Sequence, residues 1–489
     1  MTAMFLRFLR RTLVLAAVVA GAILVFRAWD SQRGPPLEPW HTYVPDDLHA
    51  AGIDKSDWSS YLTREEAIFR DVRREVVDKV DVQTAGLVNR YYAGSAVYPG
   101  RFKQDFNRSY VLEPDGPPAG AVVLLHGLTD SPYSLRHIAR LYRDNGFVAV
   151  AIRLPGHGTV PAALTDVEWE DWDAATRLAV REARRRVGPS KPLHVVGFSN
   201  GGTLAMKYAL DALEDERLAR PDRLILISPM IGITRFARFA GLAALPALLP
   251  PFAKAAWLGI VPEFNPFKYN SFPVNGARQS YRATVALQER IARGSREGRI
   301  ARLPPVLTFQ SVVDFTVSTP AVISGLYAHL PANGSELVLF DLNRAAAVSP
   351  LLRDAAESVL SRILPAPPRP YRTVIITNAA ADRYDVVERA TEAGAADERV
   401  HPLGLAFPSG IFSLSHVALP FPMSDSLYGM EPDEPDVDFG IHLGALAPRG
   451  ERGVLIVNLD ALLRVSSNPF FPYELGRIEQ TIHPKADGS

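Results

Sequence analysis

The chain has 489 residues, 47% apolar and 22% charged, a globular balance with room for a sizeable core, so wholesale disorder is excluded. Its 53 Lys and Arg are matched by 53 Asp and Glu, without the basic surplus of a protein built to coat nucleic acid. There is no cysteine, which removes disulfides, thiolate metal sites, Cys nucleophiles and a lipid-modified N-terminal Cys.

Residues 12–26 form an uncharged, almost wholly apolar run, preceded by Arg7, Arg10 and Arg11 and followed by Arg27. The run is slightly short for a spanning helix, and residues 4–9 lengthen it if the arginines snorkel. A cleaved signal peptide is the rival reading, with Ala20-Gly21-Ala22 as its site. Cleavage would leave an apolar stub at Ile23–Phe26, so residues 1–30 are read as an uncleaved membrane anchor. The Arg cluster before the run places the N-terminus in the cytoplasm and the bulk of the chain outside, periplasmic or otherwise extracytoplasmic.

Residues 31–110 read as a linker and N-terminal preface. Thr63-Arg64-Glu65-Glu66 has capping-box form, and Ile68, Val72 and Val76 recur every four residues, which predicts a helix over 63–79. From residue 110 the pattern becomes strand, turn, helix. Continuous apolar runs at 121–125, 147–152, 193–196, 224–227, 306–309 and 336–340 predict strands buried on both faces, hence a mostly parallel α/β sheet. Thr165 and Glu168 form a second candidate capping box, whose helix stops at Gly188-Pro189. Residues 231–300 interrupt the alternation with a Phe-, Leu- and Pro-rich stretch and then a polar helical one. Residues 342–410 interrupt it again and carry one more strand-like run, 373–376.

The chemistry concentrates at Gly197-Phe198-Ser199-Asn200-Gly201-Gly202, between a strand and a helical pattern. This is the G-x-S-x-G nucleophile elbow in the context it requires. Small neighbours let the chain turn sharply, and the hydroxyl projects at a helix N-terminus that favours developing negative charge. His126-Gly127-Leu128-Thr129 follows the preceding strand of the sheet. The N–H groups of Leu128 and Asn200 are the candidate oxyanion hole, and His126 is read as pinning its loop. A hydroxyl nucleophile needs a base and an orienting carboxylate. Asp314 is the first carboxylate past the 306–309 strand, with Asp341 in reserve. The base candidates that follow are His329, His401, His416, His442 and His483; His416 is favoured, in a Pro-bounded loop of small polar residues, ahead of His401 and His442. His157 is read as part of a turn. No H-E-x-x-H, metal-spaced cluster or phosphate-binding G-x-x-x-x-G-K motif is present, and no metal or organic cofactor is expected.

LLHGLTDSPYSLRHIARLYRDNGFVAVAIRLPGHG, GFSNGG, LILISP and the VVD acid loop together resemble the serine-hydrolase branch of the α/β-hydrolase superfamily. They are most similar to its monoacylglycerol lipase and carboxylesterase group, often filed with lysophospholipases and serine aminopeptidases. The resemblance covers roughly 115–330. It implies a Ser–Asp–His triad with the nucleophile at Ser199 and the acid at Asp314, oxyanion amides at Leu128 and Asn200, and a cap inserted at 231–300; with His416 as the base, the hydrolase domain runs over 111–489. Two departures stand out. The family usually places its His some thirty residues past the acid, whereas His416 is about a hundred beyond, which makes 342–410 an extra insertion. Asn200 also replaces the usual Met or Gln. The expected activity is a serine esterase acting on a small-molecule or lipid ester, with no nucleic-acid partner. The alternatives are an acyltransferase or peptidase using the same site, or an inactive envelope-anchored binding protein.

Overall fold

The structure is a computed structural model that describes residues 2–232, 245–314, 316–345, 359–409, 411–433, 437–444 and 467–483. Its strands are β1 (Tyr110–Leu112), β2 (Gly120–Leu125), β3 (Phe147–Ile152), β4 (Leu193–Phe198), β5 (Arg223–Ile227), β6 (Trp257–Gly259), β7 (Phe272–Pro273), β8 (Val306–Ser311), β9 (Glu336–Phe340), β10 (Arg372–Asn378), β11 (Asp385–Thr391) and β12 (Glu398–Ala406). Ten of them make one sheet in the order β1-β3-β2-β4-β5-β8-β9-β10-β11-β12. From β3 to β10 every neighbouring pair is parallel; β1, β11 and β12 are antiparallel additions at the edges.

The parallel strands are where unbroken apolar runs predict them, and each is buried along nearly its whole length. Successive side chains point to opposite faces. Ala121, Val123 and Leu125 enter one core cluster, while Val122 and Leu124 enter the other. Each such buried Val or Leu contributes about 1.5–3 kcal/mol relative to an exposed one. β2 lies between β3 and β4, so the strand order reverses at its carboxyl end, where open α/β sheets form their crevice.

The preface is more than a linker. A helix spans Trp58–Glu75, and Ile53, Trp58 and Tyr61 join the main core cluster. Asp47 and Glu65 both bond the fully buried Arg153 guanidinium at the end of β3, and Tyr61 Oη donates to the Arg153 carbonyl at 2.6 Å. The helix begins five residues before its expected start because Asp57 takes the N-cap role and accepts from the Ser60 amide. Thr63 is interior and bonds back to the Ser59 carbonyl. Glu168, not Thr165, caps the helix Trp169–Val187, forming a capping box with Asp171. That helix stops at Gly188, in a left-handed conformation (φ 80°), as the Gly-Pro pair predicts.

The stretch expected to be a cap, 231–300, holds the short β6–β7 pair and a long helix, Val274–Arg296. Within the late insertion, 372–406 adds β10, β11 and β12 to the sheet, more regular structure than the single run at 373–376 foreshadows. Residues 233–244 of the expected cap and 346–358 of the late insertion lie outside the described residues.

Candidate functional site

The elbow forms because β4 and the helix Asn200–Asp211 meet at a single residue. Ser199 has φ 54° and ψ −115°, a conformation that L residues avoid and that persists only where its surroundings hold it. The restraints are visible. Its amide donates to the Ile227 carbonyl at 3.0 Å, and its carbonyl accepts from the Gly202 and Met230 amides at 3.0 Å each. The glycines are steric requirements. A Cβ at Gly201 would lie 1.9 Å from the Leu125 carbonyl oxygen, and one at Gly197 would lie 2.3 Å from that of Gly201. Leu125 and Gly197 are register partners on β2 and β4, so the loop after β2 runs directly beside the elbow. A Cβ on Gly127 would touch the Phe198 ring and Ser199 Cβ at 3.3 Å.

Leu128 follows Gly127 in that loop, and Asn200 opens the helix after Ser199. Among the described residues neither N–H donates to a protein acceptor, the state of an N–H in the first turn of a helix or in an anion cradle. His126 stands apart from the proton chemistry. Its Nδ1 contacts the Gly127 carbonyl at 2.9 Å and its Nε2 accepts from the Leu154 amide at 3.1 Å. Both ring nitrogens are thus occupied, and burial holds the imidazole well below its ordinary pKa. His157 is buried too, with burial lowering its pKa to about 4, and its Nδ1 contacts the Pro155 carbonyl in the turn.

Asp314 and His416, 102 residues apart, meet at 2.9 Å between Oδ2 and Nδ1. The Asp314 side chain is fully buried and that of His416 is 7% exposed. Asp314 Oδ1 accepts from the Thr316 and Val317 amides at 2.8 and 2.9 Å, which fixes the carboxylate plane. The His416 ring stacks on Phe198, the residue before Ser199, with centroids 5.4 Å apart. The other candidates are elsewhere. His401 is exposed on β12, opposite Glu388; His442 contacts the Ser426 carbonyl, His329 contacts Ser295 and His483 contacts Asn145. The reserve acid Asp341 accepts from Thr377 Oγ1 at 2.9 Å and pairs with Arg344.

Several residues escaped the sequence reading. Gln310 Nε2 donates to Asp314 Oδ2 at 3.2 Å and to Thr319 Oγ1 at 3.0 Å, bracing the carboxylate from β8. Its signal is a long amide side chain within a run that reads as a buried strand. Ser311 Oγ donates to the Leu414 carbonyl at 2.8 Å, and Asn343 bonds the Ile411 and Phe412 carbonyls, so the ends of β8 and β9 hold the loop that carries His416. Asp425 holds the same loop from the other side. Its buried carboxylate accepts from Arg136 Nη1 at 2.6 Å, contacts His137 Nε2 at 2.9 Å, and accepts from Tyr133 Oη and the Leu427 and Tyr428 amides.

Asp130, two residues past Leu128, is 4% exposed, and burial raises its pKa to about 6 against the pull of Lys268 and the Ser131 amide. A carboxyl whose folded pKa is raised affects stability little below its unfolded value of 3.8. It opposes folding increasingly as pH climbs from there through about 6. Asp130→Asn is therefore expected to flatten the decline in stability over that window and to stabilise the protein at pH 7 by roughly 2–3 kcal/mol. Urea denaturation between pH 4 and 8 measures both; identical slopes for variant and parent would contradict the assignment.

Residues 116–340 match the family model described as serine aminopeptidase, S33 (Hydrolase_4). Those residues carry the α/β-hydrolase fold. Over 92 residues, 19% of this chain, the sequence is 34% identical to the thermostable monoacylglycerol lipase of Bacillus sp. (strain H-257). The chain spans about a third (35%) of the length of that curated relative. Among solved structures, one from a study of the metagenome-derived lipolytic enzymes LipS and LipT is 22% identical, covering 53% of this chain and 97% of its own, with a TM-score of 0.39. A soluble variant of monoglyceride lipase from Saccharomyces cerevisiae, in complex with a substrate analogue, is 16% identical, covering 47% and 81%, with a TM-score of 0.34. The match ends at Phe340, so the loop bearing His416 lies beyond it.

Proposed function

We propose that the protein is a membrane-anchored serine ester hydrolase acting through an acyl-enzyme intermediate. The observation that carries this reading is the buried 2.9 Å contact between Asp314 and His416, stacked against the residue that precedes the left-handed Ser199. With Nδ1 turned to Asp314, Nε2 is the nitrogen left to take the proton of Ser199 Oγ. Oγ then bonds to the acyl carbon. The carbonyl oxygen becomes an oxyanion held by the Leu128 and Asn200 N–H groups. His416 returns the proton to the leaving alcohol, the C–O bond breaks, and an activated water releases the acid by the same steps in reverse roles. Asp314 orients the imidazolium. None of these steps calls for a metal or organic cofactor.

The substrate class we assign is an ester with an apolar acyl chain, such as a monoacylglycerol, lysophospholipid or medium-chain ester. Its support is the Phe-, Leu- and Pro-rich cap sequence together with the lipase relative. The helix over Arg7–Asp30 has a mean hydropathy of 2.1 and no burial, as an anchor requires, and its N-terminal arginines orient the catalytic part outside the cytoplasm. A fluorophosphonate probe tests the reading. Its phosphonyl group is expected to bond to Ser199 Oγ with loss of fluoride, read as the adduct mass on the Ser199 peptide. Folded protein that cleaves nitrophenyl esters without an adduct there ends the proposal.

A further inference from the structure

Four side-chain hydrogen bonds tie the exit of the apolar N-terminal helix to the base of the cap. Arg27 Nη2 donates to the Trp257 carbonyl at 3.1 Å and to that of Ala255 at 3.5 Å. Gln32 Nε2 donates to the Pro251 carbonyl at 2.7 Å, and Lys254 Nζ donates to the Gly34 carbonyl at 2.8 Å. The cap base is a pair of 3₁₀ turns, Leu245–Leu248 and Pro250–Ala256, followed by β6. Three of its leucines face outward: Leu245 is 42% exposed, Leu249 59% and Leu258 46%.

The helix supplies the reason for that exposure. At 1.5 Å per residue, the stretch Arg7–Asp30 reaches about 36 Å, a little more than the roughly 30 Å hydrocarbon core of a bilayer. Its exit therefore falls at the headgroups. Trp29 sits there half exposed, with the Arg33 guanidinium 3.6 Å over its ring. An aromatic ring among basic side chains is the signature of that level. Groups held within hydrogen-bond distance of residues 27–34 share it, and Leu249 and Leu258 flank the segment so held.

We propose that the base of the cap docks on the surface of the anionic phospholipid leaflet through which the N-terminal helix leaves the bilayer, with Leu245, Leu249 and Leu258 buried among the lipids. The proposal rests on the anchor reading above and not on the ester chemistry. Arg33 and Lys254 meet the lipid phosphates, while Arg27, paired with Asp30, holds the helix to the cap; the three leucines lose their contact with water. The docked surface is also continuous with the site. β6 pairs with β7, β7 runs directly into the helix Val274–Arg296, and Ser280 on that helix bonds the Asn200 side chain at 3.3 Å, next to Ser199.

The absence of cysteine makes the test direct, because every introduced thiol is unique. Leu249→Cys and Leu258→Cys, with Val18→Cys inside the anchor and Val400→Cys on β12 as references, are labelled with an environment-sensitive fluorophore. Each full chain is reconstituted in vesicles of phosphatidylglycerol and phosphatidylcholine, with spin-labelled lipid as quencher, and folding is checked by thermal melting. Labels at 249 and 258 are expected to be quenched several-fold more than the label at 400. Quenching at 18 with none above background at 249 and 258 overturns the docking while leaving the anchor intact. No quenching at 18 overturns the anchor and the docking together.

Discussion

Ser199→Ala is expected to lower kcat for a nitrophenyl ester by roughly 10⁴–10⁶-fold, and His416→Ala by a comparable factor, with the double variant no worse than either alone. The non-additivity follows from the chemistry. Nucleophile and base perform one act, the transfer of a proton as the Oγ–C bond forms, and removing either abolishes it. Asp314→Asn should cost roughly 10⁴-fold, since an amide at 2.9 Å from Nδ1 favours the wrong imidazole tautomer. His401→Ala and His442→Ala are the discriminating controls. One ring is exposed on β12 and the other bonds the Ser426 carbonyl, so neither should change kcat by more than about twofold, the scale of a surface substitution. Steady-state kinetics on the five proteins and the double variant measure this. A large loss at His401 or His442 with activity retained at His416 would move the base and overturn the triad.

Why some of this could be read before any coordinates is a matter of range. β2, β3, β4, β8 and β9 are covered on both faces, so burial writes itself into the sequence as an unbroken apolar run. β12 is exposed along most of its length and carries Glu398, Arg399 and His401; pairing with β11, not burial, makes it a strand. The elbow was legible because its signature lies within a few residues of Ser199, with a glycine two positions to either side, a strand before and a helix after, even though Ile227 and Met230 help to hold it from further along the chain. His416 was reachable through chain order and loop composition. Its neighbours Gln310 and Ser311 belong to β8, about a hundred positions upstream, and nothing local links them. Thr63 shows the opposite failure. Its capping box is a true local pattern, overridden because Asp57 offers its carboxylate a turn and a half earlier. Asp425 is the extreme case, since Arg136 lies 289 residues away.

Asp425 also carries the second large effect. Asp425→Ala is expected to destabilise the protein by about 3–5 kcal/mol, the scale of breaking a buried ion pair by removing one partner. Arg136 is 1% exposed and loses its 2.6 Å contact with the carboxylate in the variant. The lost amide acceptors for Leu427 and Tyr428 open the turn as well. The pH dependence gives an independent check. Burial alone would raise this carboxyl, but Arg136 and His137 outweigh it and hold its pKa well below the usual range. A depressed folded pKa contributes stability that is complete above the unfolded value and is lost as pH falls toward the folded one. Parent protein should therefore lose more stability than Asp425→Ala on acidification below about pH 4, and the difference between the two urea midpoints should narrow there. Activity links Asp425 to the site, because His416 is nine residues upstream on the same loop. At temperatures where the variant is still folded, kcat should fall while the fluorophosphonate adduct still forms slowly at Ser199. A variant as stable as the parent, or one with full kcat, would show that the His416 loop is held without Asp425.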